Sequence, residues 1–323
     1  MQVQELASPQ PKRGEVKVKM HAARINPVDM DLMKGFPGLT YKKLQIGGID
    51  GAGKIVELGE GVSGYEPGDA VYFYRLFTDM STWAEEISIP AEHIAKIPQN
   101  LKLREAGTIA LPLLTAYEAL KSLEATKGET ILIHGAGGGV GFQALQLAKA
   151  FDLKVIAHAS GRDKAKLESV GADQFIDYKQ ADFSEILAEN PPSYIFDVIG
   201  KETLSKSIKL RPKKVVSIAF PDTSQMHKTG VNLPGIMKFL MNMMNRKFVR
   251  AAKKYGVELL GQVTGVQGGH LAEAATILEK ITYVPPKVEY LHIEEIKERG
   301  LGKADLGKVI LFARKAVSKF IKV

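Results

Sequence analysis

The 323-residue chain contains no cysteine. Disulfide staples, thiolate metal centres and cysteine nucleophiles are therefore excluded. No apolar run reaches about 18 residues, so no membrane span is expected. The opening segment, MQVQELASPQPKRGEVKV, lacks the apolar stretch of a secretory signal. No internal repeat and no low-complexity linker interrupt the chain. A cytoplasmic location is the expectation these absences leave.

What is present is ordinary in amount and informative in order. Hydrophobic residues make up 45% and charged residues 25%, as in a typical globular protein. The length exceeds one ordinary hydrophobic core, so two domains are expected. Thirty-one glycines point to many tight turns or to a nucleotide-binding loop. The net charge of +8 is read first as a solvated surface. Attraction to an anionic cofactor, to nucleic acid or to a membrane face is the sharper alternative.

The first third reads as short strands joined by turns. Glu15 to Met20 alternates polar and apolar residues, and Gly53 to Leu58 and Ala70 to Tyr74 are further strands. Gly59-Glu60-Gly61 and Pro67-Gly68-Asp69 supply the turns. From Thr130 the pattern changes to alternating strands and helices. The strands are Thr130 to His134, Lys154 to Ala159, Gln174 to Asp177, Tyr194 to Ile199, Lys214 to Ile218 and Val257 to Val263. Helices are expected over Phe142 to Phe151, Asp163 to Val170 and Asp182 to Glu189. Such alternation implies a parallel sheet covered on both faces. Residues 235 to 254 read as a helix rich in Met, Lys and Arg: a core or interface helix, a pliable pocket wall, or a peripheral membrane contact. The tail from Ala313 to Val323 reads as a short basic amphipathic helix.

The most informative stretch is His134 to Gly141, HGAGGGVG. It holds small residues at 136, 138 and 141 in the spacing of a dinucleotide fingerprint, with Ala136 replacing the first glycine. Small residues are needed for the tight turn, for close approach of backbone to a pyrophosphate and for helix–sheet packing. The loop follows an apolar strand and opens a helix, whose N-terminus presents free N–H groups to phosphate. At the end of the next strand, an NAD site would place an acid. Here Ala159 stands at that position, followed by Ser160, Arg162 and Lys164. These groups suit a 2′-phosphate, so NADPH is the expected cofactor.

Ordered matches then accumulate: Ile25-Asn26-Pro27-Val28-Asp29, GIDGAG from Gly48 to Gly53, GYEPGDAV from Gly64 to Val71, Leu111-Pro112 and LTAYEAL from Leu114 to Leu120. After the glycine loop come Gly171-Ala172-Asp173, Asp177-Tyr178, Phe196 to Gly200 and Gly307 to Leu311. Together they resemble the zinc-independent medium-chain dehydrogenases/reductases, on the quinone oxidoreductase and alkenal reductase branch. The resemblance implies an α/β fold: a Rossmann doubly wound parallel sheet over 111–269, plus a β-rich GroES-like catalytic domain from 1–110 and 270–323. It also implies another strand ahead of the segment Gln2 to Leu6. Gly48-Ile49-Asp50 occupies the place where zinc-dependent relatives carry metal ligands, so no metal is expected.

The implied reaction is reduction, by NADPH, of a quinone or of the C=C bond of an α,β-unsaturated carbonyl, with a homodimer as the assembly. By the same resemblance, Gly137, Gly138, Gly139 and Val140 should hold the pyrophosphate. Ser160, Arg162 and Lys164 should hold the 2′-phosphate, with Tyr178 against the adenosine. Ile199, Ala219 and Phe220 should line the cofactor cleft. Asn26 and Thr115 should lie near the nicotinamide. Tyr41 is the candidate donor to the substrate carbonyl, and Asp50 reads as a turn residue beside the cleft. Two rivals stand beside this reading. One is an NADPH-dependent enoyl-thioester reductase, whose pocket must take a long acyl arm. The other is a non-catalytic NADPH-binding nucleic-acid or scaffold protein, for which no aromatic-basic motif speaks.

Overall fold

In the computed structural model, strand and helix positions follow the two hydrophobic periods of the sequence. The structure describes residues 2–35, 46–220, 222–299, 306–312 and 319–322. In chain order the first elements are β1 (Gln2–Glu5), β2 (Glu15–Arg24), α1 (Pro27–Met33), β3 (Asp50–Leu58), β4 (Ala70–Tyr74), β5 (Glu86–Pro90) and β6 (Ile94–Lys96). Then come α2 (Leu103–Ala106), α3 (Ala110–Leu123), β7 (Thr130–His134), α4 (Gly139–Ala150), β8 (Lys154–Ala159), α5 (Lys164–Ser169), β9 (Gln174–Asp177) and α6 (Phe183–Ile186). They are followed by β10 (Tyr194–Asp197), α7 (Lys201–Lys209), β11 (Lys214–Ser217), α8 (Gly235–Tyr255), β12 (Glu258–Gly261) and α9 (Gly268–Glu279). The last are β13 (Tyr290–His292), α10 (Ile293–Arg299), β14 (Val309–Leu311) and β15 (Lys319–Lys322).

Six of the strands form one sheet in the order β12-β11-β10-β7-β8-β9, with every neighbouring pair parallel. This is the doubly wound order. The chain direction of building reverses at β7, and a crevice opens beyond the strand ends there. β10 and β11 are buried at every position, as central strands covered on both faces are, with apolar residues at their middles and Asp197, Lys214 and Ser217 at their ends. The other large sheet runs β13-β14-β2-β3-β4-β6, with β5 also paired to β2. Its pairs are antiparallel except for β13 with β14. β2 alternates buried and half-exposed residues at its start, then is buried at its last three positions. There the segment just after α2 lies on it, Gly107 against Ala22 and Thr108 against Arg24. α9 covers the outer face of this junction, and Tyr72 donates to the Leu271 carbonyl at 2.6 Å.

Several bounds shift by a few residues, among them β2, β3, α6, β10 and β12, and two departures have a clear physical cause. α4 begins at Gly139 rather than Phe142, because the glycines themselves make its first turn. Poor helix formers are accepted there because Gly141 packs directly onto the backbone of Gly135 and Ala136, leaving a Cβ only 2.8 Å from the Ala136 Cα. The tail is the second case. Lys319–Lys322 forms an antiparallel strand with Gln2–Glu5, not an amphipathic helix. A row of open backbone groups on β1 decides the matter against local propensity.

Candidate functional site

β7 ends in His134 and the chain turns sharply through Gly135, which has a φ of +66°. A side chain here would also collide with Val198, at 2.5 Å. Gly138 is the N-cap of α4 and offers no side chain, so the opening amides of the helix receive no side-chain cap. The corner therefore presents bare N–H groups and the positive end of a 12-residue helix. Gly137 and Gly138 face a cavity of about 730 Å³ that runs past the ends of β7, β8 and β9. A Cβ on Gly137 would run into the Asp163 carboxylate.

The cavity brings together residues far apart in sequence. Gly137, Gly138, Ser160, Arg162, Tyr178 and Ile199 all line it. Ala159 also lines the wall, where an NAD site would have its acid. The Arg162 side chain is largely exposed, with its Nε 3.7 Å from Asp163. Gly139 lies half-buried on the other side, where a Cβ would stand 3.1 Å from Arg24 Nη2. Val140 is half-buried in the same first turn.

Other predicted residues fall elsewhere. Lys164 faces a neighbouring groove and sits 3.8 Å from Glu168. The Phe220 ring is buried edge-on against Phe248, so this side chain belongs to the core beneath α8 rather than to the cavity wall. Ala219 is exposed and lies against Gly200. Tyr41 lies outside the described residues.

Asn26 and Thr115 sit where the two sheets meet. Asn26 caps α1, and its Nδ2 donates to Asp50 at 2.7 Å. Asp50 is the first residue of β3 and fully buried, not a turn residue; its other oxygen accepts from the Leu111 amide at 3.1 Å. Burial pushes the Asp50 carboxyl up to about 6, against the opposing pull of the Leu111 amide, Arg24 and Asn26. Asp29 is raised well above the usual range by burial and by the Asp50 charge. Its Oδ2 accepts from the Asn26 amide at 2.6 Å, while its Oδ1 finds no partner among the described residues. Arg24, nearly buried, donates to the Thr108 carbonyl at 2.9 Å; burial lowers its pKa, and both carboxylates oppose that. Thr115 accepts a hydrogen bond from Thr264 at 3.0 Å.

Sequence reasoning missed Arg24, although it directly precedes the Ile25-Asn26-Pro27 match. It also missed a histidine pair. His134, the last residue of β7, pairs in register with His158, the last but one of β8, and their Nδ1 atoms lie 2.8 Å apart. Ser207 donates to the Thr203 carbonyl, so its oxygen accepts from His134 Nε2. His134 then has only a lone pair at Nδ1, and His158 must supply the proton between them. Burial lowers both pKa values, which keeps the pair neutral. His158 lines the cavity, as do Lys179 and Lys206; Lys206 is held by Asp182 at 2.7 Å. The signal was available, since both His residues lie at or next to the ends of consecutive expected strands of the same sheet.

Among the described residues, no three His, Asp or Glu side chains gather as a metal site requires. The donor set present does not fit a protein-held zinc ion.

Two family models match the chain: the alcohol dehydrogenase GroES-like domain over residues 12–99 and the zinc-binding dehydrogenase over 139–240. A quinone oxidoreductase of Rattus norvegicus is 31% identical over 217 residues, which cover 64% of each chain. A 2-methylene-furan-3-one reductase of Solanum lycopersicum is 33% identical over 61% of this chain and 52% of its own. The solved quinone oxidoreductase of Coxiella burnetii has the same fold, with a TM-score of 0.71 at 24% identity over 96% of this chain and 93% of its own. The matched stretch thus spans less than two thirds of the rat relative's length.

Proposed function

We propose a function from one premise: the chain belongs to the medium-chain dehydrogenase/reductase family. It is an oxidoreductase that uses NADPH to reduce quinones or the C=C bond of α,β-unsaturated carbonyls, without a protein-held zinc ion. One observation carries the reading. The uncapped β7–α4 corner opens into the same cavity as Ser160 and Arg162, while Ala159 takes the place of an acid.

The residues fit the cofactor in size and charge. Gly137, Gly138, Gly139 and Val140 would hold the pyrophosphate at the opening of α4, Gly138 as a close backbone surface, since its amide already donates to the Gly135 carbonyl at 2.9 Å. Ser160 and Arg162 suit a 2′-phosphate, and Tyr178 offers a ring face to the adenosine. Lys164 would need to leave Glu168 to join them. Bound NADPH would supply the hydride. The chain's part is to orient the acceptor, exclude water and keep charge away from it. Asn26 and Thr115 do this at the junction of the two sheets, each already fixed by a hydrogen bond to Asp50 or Thr264. Tyr41 is the proposed donor to the substrate carbonyl. We place the catalytic domain at 1–110 and 270–323 and the cofactor domain at 111–269. A cytoplasmic homodimer completes the proposal.

The test is oxidation of NADPH and NADH, followed by absorbance, against quinones, 2-alkenals and enoyl-CoA. NADPH should be preferred, with quinones or 2-alkenals as acceptors. Arg162→Glu should weaken NADPH binding by about 10- to 100-fold while sparing NADH, as one charge-assisted contact is replaced by repulsion. Preference of the wild-type protein for NADH would overturn the cofactor assignment, and equal losses of both would remove Arg162 from it.

A further inference from the structure

α8 is a 21-residue helix, about 31 Å long, that carries no acidic residue and six basic ones. The net charge of the whole chain is +8. Its inner face is well packed. Phe248 and Ala252 are buried, Phe248 meets Phe220, and Asn242 accepts from the Thr223 hydroxyl at 3.0 Å. Among the described residues the outer face meets no other element, and its Lys247 and Lys254 reach only the neighbouring rings of Phe248 and Tyr255. Ile236, Leu240, Met243, Lys247, Arg250 and Lys254 recur at spacings of four and three residues, and all six are exposed. They form one outward stripe that is apolar along its first half and cationic along its second. Phe239 and Met244 broaden the apolar half, at 63% and 73% exposure.

An apolar patch of this kind calls for a cover. A second copy is a poor one, because two α8 helices would bring six positive charges against six. The helix is also not a membrane span: among the described residues no helix is long and apolar enough to cross a bilayer. A surface that is anionic at the headgroups and apolar just below satisfies both halves of the stripe. We propose that α8 seats the protein on an anionic phospholipid surface, its N-terminal apolar half entering the headgroup boundary and its C-terminal cations pairing with lipid phosphates.

The experiment is flotation of the whole protein with vesicles of phosphatidylcholine alone, and with vesicles containing equal parts of phosphatidylcholine and phosphatidylglycerol. Binding is expected to the anionic vesicles only and should weaken as salt is raised. Replacing Lys247, Arg250 and Lys254 with Gln should weaken binding on the order of 100-fold. Replacing Ile236, Met243 and Met244 with Gln should weaken it at least about tenfold. All six positions are exposed, so thermal melts should match the wild type. Equal binding to both vesicle types, no binding at all, or full binding by either variant would overturn the proposal. So would a dimer by sedimentation that the apolar variant dissociates while vesicle binding stays intact, for the patch would then be a self-association face. None of these readouts involves NADPH, so the outcome is separate from that of the proposed activity.

Discussion

At the β7–α4 corner the chain leaves polar groups open, whereas around Arg24 it closes them in. The corner holds uncapped amides beside a cavity, and its neighbours are glycines. The junction below holds Arg24, Asp29 and Asp50 at one place, with both carboxylates fully buried. Openness at the first region leaves hydrogen-bonding capacity for a ligand. Closure at the second leaves Arg24 as the buried charge that offsets Asp50 and Asp29, which disfavour each other's ionisation. The contrast teaches that a binding corner and a structural junction can adjoin: Gly139 lies beside Arg24 Nη2.

The comparison breaks most readily at Arg24. Arg24→Leu removes a buried guanidinium, its bond to the Thr108 carbonyl and a positive charge that favours the Asp50 and Asp29 carboxylates, and should cost about 1–3 kcal/mol, read as a fall in denaturation midpoint. A fall no larger than that of an exposed substitution would mean that the junction does not depend on the charge. Gly141→Ala comes next. Its Cβ would press on the Ala136 Cα, so a stability loss of about 1–3 kcal/mol should accompany loss of NADPH binding in titration. Intact binding would show that the corner tolerates movement and is not a tight cradle.

Acidity sharpens the same contrast. Asp50 titrates near 6 when folded and near 3.8 when exposed, so the folded state holds its proton more tightly. Its contribution therefore favours folding at low pH and is lost as pH rises from about 4 to 6. The wild-type stability minus that of Asp50→Asn should fall across this window in denaturant titrations. A flat difference would place Asp50 outside a buried environment. The histidine pair acts in the opposite sense. His134 resists protonation when folded, so stability should drop as pH falls below about 6.5, where the unfolded chain takes up a proton. His134→Phe should reduce that acid sensitivity. The smallest effect is expected at Tyr72→Phe, which removes the bond to the Leu271 carbonyl and should cost about 1 kcal/mol in thermal or denaturant melts.

Much of this was legible before the coordinates. β7, β8, β9 and β4 fall where their apolar runs begin and end. Gly137, Gly138, Ser160, Arg162 and Tyr178 were singled out from spacing and resemblance, and one cavity wall joins them. The direction of the Phe220 ring was not legible, because a position after a strand says nothing about where a ring turns; a long helix arriving 15 residues later takes it into the core. Lys164 stands apart from that wall, where a Glu one helical turn onward competes for its charge. The tail was read as a helix because its partner strand lies more than 300 residues away.

The sequence by itself determined the parallel sheet, the glycine corner and the cationic composition of α8, because each rests on residues within one strand, one turn or one helix. Only the tertiary structure decided that Asn26 meets Asp50, that His134 meets His158, and that the apolar stripe of α8 faces outward. Those outcomes depend on contacts between segments distant in the chain, where burial and loss of water set the energies and local spacing carries no record of the partner.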